Sequence, residues 1–280
     1  MNPPGDVDLP VQIRTALLDA LEALSDHRES VVVIGAQAIY LRSGAVSLAL
    51  AESTKDSDLV LDPRTLGHRP LVEQAMARAG FVANPTSGQP GAWVNARGLP
   101  VDLMVPEALA GARASQRRGA RIPPHSNRAT RRAVGLEAAV VDRSPIVIEA
   151  LADGDSRSFT ASVAGPAALL VAKLHKLGER QAAPDRLEDK DAHDAYRLLV
   201  AFRTGDLAGT MATLRQDNLA ADVTRQALIY MQDMFASSPT AMGSVMAGRA
   251  EEGIGDPGAV SAAASILAGE LLEAVERQSE

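Results

Sequence analysis

Apolar residues recur at spacings of three and four through 11–25, VQIRTALLDALEALS, which predicts an amphipathic helix. VVVI at 31–34 is a short β-branched run ending at Gly35, the pattern of a buried strand. A helix follows through Gln37–Arg42, and DSDLVLD at 56–62 alternates as a second strand does. The pattern then predicts a helix over 67–79 and strands at Phe81–Ala83, Ala92–Asn95 and Pro100–Val105. Residues 106–136 lose the periodicity and predict a loop with some helix. Ala138–Val141 and Ile146–Ile148 flank an Asp-Arg-Ser-Pro turn and predict a hairpin, and Ser158–Val163 one more strand. From Pro166 onward the period is helical: 166–181, 187–203, 206–216, 219–237 and 258–277.

Strands in the first half and helices in the second define an α+β protein. The expected architecture is a mixed sheet with flanking helices, spanning 1–164, and a helical C-terminal part, 165–280. The 280 residues are 46% hydrophobic, ample for a core, and no uninterrupted apolar stretch suits a membrane span. Met1–Pro10 lacks the basic-then-apolar order of a secretory signal, so the expected location is cytoplasmic. The absence of cysteine excludes disulfides, thiolate metal sites and cysteine nucleophiles. Aromatic content of 3% argues against base stacking as a main binding mode.

Candidate chemistry concentrates between 31 and 62. A buried strand runs into the small-residue turn Gly35-Ala36 and then a helix, whose first N–H groups can face an anion. Asp56 and Asp58 flank Ser57, and residues i and i+2 of a strand share a face. Two carboxylates so placed repel one another unless a cation intervenes, and hard oxygen donors suit Mg²⁺. Asp102 lies inside the apolar strand LPVDLMV, costly unless paired or metal-bound. Three convergent Asp residues can hold two Mg²⁺ ions, or one ion beside a general base, for attack on a nucleotide phosphate. Gly-x-Ser-x-Gly, a Walker P-loop and Gly-x-Gly-x-x-Gly are all missing.

Farther along, Lys173, Lys176 and Arg180 fall on one helical arc beside a leucine arc, while Asp191 and Asp194 share a face with Leu187 and Leu198. His175 and His193 show no metal-ligand spacing and are expected at the surface; Trp93 is expected in the core or anchoring a loop.

These elements together resemble the polymerase-β-type nucleotidyltransferase superfamily. Within it, ALLVAKLHKLGER…EDKDAHDAYRLL resembles the AbiEii-like nucleotidyltransferase toxins of bacterial toxin–antitoxin pairs, over about residues 30–200. The resemblance implies Asp56 and Asp58 as metal ligands and Asp102 as ligand or base. It implies Gly35 and Ala36 at the phosphates, Lys173 as a triphosphate grip with Arg180 assisting, and Asp191 or Asp194 as a late essential acid. It implies transfer of an NMP from an NTP, with tRNA 3′ ends as acceptor and a separately encoded antitoxin as partner. The family's turn is usually Gly-Gly or Gly-Ser. Ala36 keeps the N–H but lacks the hydroxyl, which supports an alternative: a catalytically inactive nucleotide- or RNA-binding protein.

Charge fits this picture once it is resolved along the chain. The overall value is −7, yet 108–136 holds Arg113, Arg117, Arg118, Arg121, Arg128, Arg131 and Arg132 and no acid. This stretch is expected either as a solvated, ion-paired loop or as a clamp on phosphates of RNA or NTP. It argues against a second enzymatic alternative, modification of cationic aminoglycosides.

Overall fold

A computed structural model describes residues 9–44, 56–112 and 118–278. The chain divides into two compact units. The first comprises Met1–Ala38, Thr54–Ala133 and Arg143–Ala164; the second comprises Ile39–Ser53, Val134–Asp142 and Gly165–Glu280. The last division falls at 164/165, but the second unit also takes two segments from the N-terminal half.

The elements are α1 (Leu9–Ala23), β1 (Val31–Ile34), α2 (Gly35–Ser43), β2 (Ser57–Leu61), α3 (Val72–Arg78), β3 (Val82–Ala83), β4 (Ala92–Val94) and β5 (Pro100–Pro106). Then follow β6 (Arg131–Ala133), β7 (Arg143–Glu149), β8 (Ser158–Ala164), α4 (Pro166–Gly178), α5 (Asp189–Ala201), α6 (Thr204–Leu214), α7 (Ala221–Met231), α8 (Met242–Arg249) and α9 (Pro257–Arg277). This is the expected class: one mixed open sheet with flanking helices and a helical C-terminal part.

The sheet lies wholly in the first unit, in the order β3-β4-β5-β2-β1-β8-β7, with β6 pairing β5 beside β4. β1 runs antiparallel to β2 and parallel to β8, and β2 runs parallel to β5. All four residues of β1 are buried, as a central strand covered on both faces requires. α1 packs on β2, β5 and β8 through Ile13, Leu17, Leu18 and Leu21, the predicted apolar arc.

Several elements depart from the sequence pattern. Only 72–78 of the predicted 67–79 helix forms, because Pro70 has no N–H and holds the residue before it extended. The hairpin predicted across 138–148 does not form. Ala138–Val140 is a buried 3₁₀ turn, and Ile146–Ile148 instead pairs downstream with 159–161. A short apolar run does not distinguish these outcomes by periodicity. Pro145 is tolerated because β7 is an edge strand.

The sequence pattern does not predict β6, since Arg-Arg-Ala carries no strand signal. Gly91 makes this strand possible. At φ +76 it ends beside β5, where a Cβ would stand 2.3 Å from the Leu103 carbonyl and 2.6 Å from the Arg131 nitrogen. β5 thus pairs β4 up to Asp102 and β6 from Met104.

In the second unit, the predicted 219–237 helix is α7 followed by a π turn, Gln232–Ala236. α8 has no counterpart in the sequence pattern, because two glycines and a serine weaken its propensity. Packing overrides this: a Cβ on Gly248 would lie 2.3 Å from the Pro257 carbonyl and from Ser261 Oγ. α9 is long and apolar enough to cross a membrane by length and composition. Its Val260, Ala264, Ala268, Leu271 and Val275 are buried, and it packs on α6 and α8.

Candidate functional site

In the first unit, β1 ends at Ile34 and the chain turns at Gly35, φ +69, into α2. Ile34 pairs with Asp58 across the antiparallel ladder, and Asp58 pairs with Asp102 across the parallel one. Register neighbours on adjacent strands project to the same face, so the two carboxylates stand side by side. Ser57, pointing the other way, donates to the Ile13 carbonyl at 3.2 Å, which puts α1 on the face opposite the acids. The Asp58 carboxylate lies directly on Gly35: a Cβ there would be 2.3 Å from Asp58 Oδ2. Asp56 is exposed, one residue before β2.

Ala36 and Gln37 form the first turn of α2 and are buried. Gln37 Oε1 accepts from Arg14 Nε at 3.1 Å, and Arg14 Nη1 donates to the Glu149 carbonyl at 2.9 Å. Burial pushes the Arg14 guanidinium pKa down. The sequence reading misses this positioning residue, although its place on the apolar arc of α1 is an available signal.

Asp102 has a cation already. Arg131 Nη2 lies 2.6 Å from its Oδ2, with the two side chains 27% and 23% exposed. The described residues contain no cluster of three or more His, Cys, Asp or Glu arranged around a metal. Mg²⁺ is, however, commonly held by one or two carboxylates together with substrate phosphates. Asp58 and Asp102, hard donors adjacent on one face, fit that requirement, with Asp56 two residues before Asp58.

The second unit brings together the late residues. Lys173 Nζ is 2.8 Å from Asp191 Oδ1 and 2.6 Å from Asp194 Oδ2. Lys176 reaches Asp191 at 2.8 Å, and Arg180 lies 3.6 Å from it while donating to the Arg186 carbonyl at 3.0 Å. The predicted basic arc of α4 therefore converges on one carboxylate of α5. Burial alone would lower the Lys173 pKa, but Asp194 and Asp191 hold it far above the ordinary lysine value. Burial would likewise raise Asp191, and Lys173 and Lys176 hold it far below the carboxylate range. Beyond them, buried Arg197 stacks on the Tyr40 ring, 5.0 Å from its centroid.

The arginine-rich stretch separates into distinct groups. Arg113 and Arg117 lie outside the described residues. Arg118, Arg121 and Arg128 are exposed; Arg118 donates to Gln89 Oε1 at 3.3 Å and Arg128 to the Gly88 carbonyl at 3.4 Å. Arg131 holds Asp102. Arg132, its side chain only 6% exposed, binds Glu107 at 3.0 Å and the Ala110 and Gly111 carbonyls at 2.8 and 2.9 Å. Arg131 and Arg132 are thus committed inside the fold, and only part of the expected clamp faces outward.

Both histidines expected at the surface are buried. His175 Nε2 is 2.8 Å from the Val223 carbonyl, and His193 Nε2 is 2.9 Å from Glu251 Oε1. Their partners lie 48 and 58 residues away, beyond any local pattern. Trp93 is buried, with Nε1 donating to the Ala129 carbonyl at 3.0 Å.

No protein-family model, curated protein or solved structure matches the chain.

Proposed function

We propose that this chain is a Mg²⁺-dependent nucleotidyltransferase that moves an NMP from an NTP to an acceptor and releases pyrophosphate. The observation that carries this reading is the contact of Asp58 with Gly35 while Asp102 stands beside it in register. That arrangement sets two hard anionic donors next to a small-residue turn at a helix start, where N–H groups suit a phosphate. When bound, Mg²⁺ supplies charge neutralisation at the α-phosphate and a more acidic acceptor hydroxyl. Asp58 and Asp102, with Asp56, would hold it; Gly35 and Ala36 would face the phosphates. The family resemblance assigns Lys173 and Arg180 to the triphosphate; within the second unit, Asp191 and Asp194 keep Lys173 charged and in place.

RNA is the proposed acceptor, met by exposed Arg118, Arg121 and Arg128. Following the family resemblance, the 3′ end of tRNA is the acceptor, and the protein is a cytoplasmic toxin restrained by an antitoxin. The decisive experiment incubates the protein with Mg²⁺, each labelled NTP in turn, and total RNA. Label should enter RNA with the native protein and not with Asp58→Asn or Asp102→Asn; equal labelling by the variants refutes the site. A second reading, a non-catalytic nucleotide- or RNA-binding protein, is favoured by the Arg131 ion pair on Asp102. It predicts NTP or RNA binding with no label transferred to RNA, protein or small amines.

A further inference from the structure

We infer that Arg131 is a resident counter-cation of Asp102 that competes with a divalent cation for this carboxylate. The inference rests on the reading of Asp58 and Asp102 as a metal-binding pair. The geometry is built into the sheet. Arg131 is in register with Met104, two residues along β5 from Asp102, so both side chains leave the same face. Its register depends on Gly91, whose φ of +76 and missing Cβ let β6 approach β5 closely.

Charge then explains what the guanidinium does. Asp58 and Asp102 side by side carry two negative charges, and Arg131 cancels one of them. The pair is half-buried, so solvent screens it less than a surface pair. Arg131 is nonetheless imperfectly housed. Its Nε is buried without a hydrogen-bond partner among the described residues. Among the described residues, the guanidinium therefore gives up little besides the Asp102 ion pair on leaving. A divalent cation on the carboxylates would repel it, and the two occupancies exclude one another. Arg131 thus lowers the affinity of the acids for divalent metal and stabilises them when metal is scarce. Once released, it is a free cation on the face where the substrate phosphates are proposed to lie.

The test is Mn²⁺ titration of the full-length protein, with free Mn²⁺ counted by electron paramagnetic resonance. R131Q should bind Mn²⁺ about tenfold more tightly than the native protein, a modest effect for a charge-assisted hydrogen bond. R131K, which keeps a cation at the position, should stay within about threefold of native. D102N should bind more weakly than either. If native and R131Q bind equally while D102N binds less, the competition is refuted and the metal-site reading survives. If neither native nor R131Q binds Mn²⁺, both fall. A second measurement needs no variant at Arg131. In ¹⁵N-arginine-labelled native protein, Mg²⁺ should move one guanidinium resonance, with no such movement in D102N. An unmoved spectrum at saturating Mg²⁺ also refutes the competition.

Discussion

Lys173 Nζ lies 2.8 Å from Asp191 Oδ1, and the Asp191 side chain is only 1% exposed. Removing Lys173 would leave this buried carboxylate with Lys176 at 2.8 Å and Arg180 at 3.6 Å. Lys173→Met should therefore destabilise the protein by about 1–3 kcal/mol, the cost of a lost charged hydrogen bond with part of the charge still compensated, read by urea denaturation. The double change Lys173→Met/Asp191→Asn should cost less than the two single changes summed, since it leaves fewer orphan charges.

The same pair sets a pH window. Asp191 titrates from 3.8 in the unfolded chain to a lower value in the fold, so its contribution is full above about pH 4. It is lost as pH falls toward the folded value. Lys173 titrates from 10.5 to a higher value, so its contribution is full below 10.5 and is lost above it. The stability gap between native protein and Asp191→Asn should be flat from about pH 5 to 9. It should narrow on either side. A gap that changes steadily across neutrality would contradict the assignment.

Gly35→Ala places a methyl group on the Asp58 carboxylate in a backbone conformation that side chains rarely adopt. The backbone strain alone is worth about 1–3 kcal/mol. The expected result is lowered stability together with loss of the proposed nucleotide transfer. Ala36→Ser should preserve or increase the proposed transfer, because it supplies the hydroxyl that the turn lacks.

α4 is capped from outside its own sequence. Asp142 Oδ2 accepts from the Ala168 N–H at 3.0 Å, and its carboxylate fills the space that a side chain on the N-cap residue Gly165 would need. Burial pushes the Asp142 pKa up, against the backbone bond that lowers it. Asp142→Ala should cost about 1–2 kcal/mol. Gly165→Ala should cost as much or more, measured by thermal or urea unfolding.

The arginines should separate by experiment as they do in space. Arg132→Ala breaks a buried cluster with Glu107 and two carbonyls and should lower stability by about 1–3 kcal/mol. Arg118→Glu, Arg121→Glu and Arg128→Glu should leave stability nearly unchanged. They should weaken RNA binding and flatten its salt dependence, by roughly one unit of slope for each phosphate no longer neutralised. RNA binding that ignores all three removes them from the interface.

The central strands, the helix starting at Gly35 and the alternation around Asp58 and Asp102 are legible in the sequence, because burial on a sheet and period-two patterning leave a local trace. The convergence of Lys173 with Asp191 and Asp194 is half legible: the helical arcs are readable, the meeting of the two helices is not. Asp102's partner is not legible at all. Nothing local marks Arg131 as different from Arg128; its role comes from a register that Gly91 permits forty residues upstream. The same holds for His193, whose partner Glu251 lies three helices further along the chain. Residues 138–140 mislead because buried alanines in a turn look like a buried strand.

The place of β1 has a consequence for synthesis. VVVI forms one ladder with β2, completed early, but its other edge pairs Val32 with Ser162 and Val33 with Val163. Until β8 has left the ribosome, the most apolar strand of the sheet offers an open edge, and such edges template aggregation. Chains ending at residue 150 should precipitate or be held by chaperones, whereas chains extended through 164 gain the closing strand. Pelleting of the two chains after release from the ribosome compares them directly. On this account the sheet of the first unit matures late, with its N-terminal strands waiting on a segment made long after them.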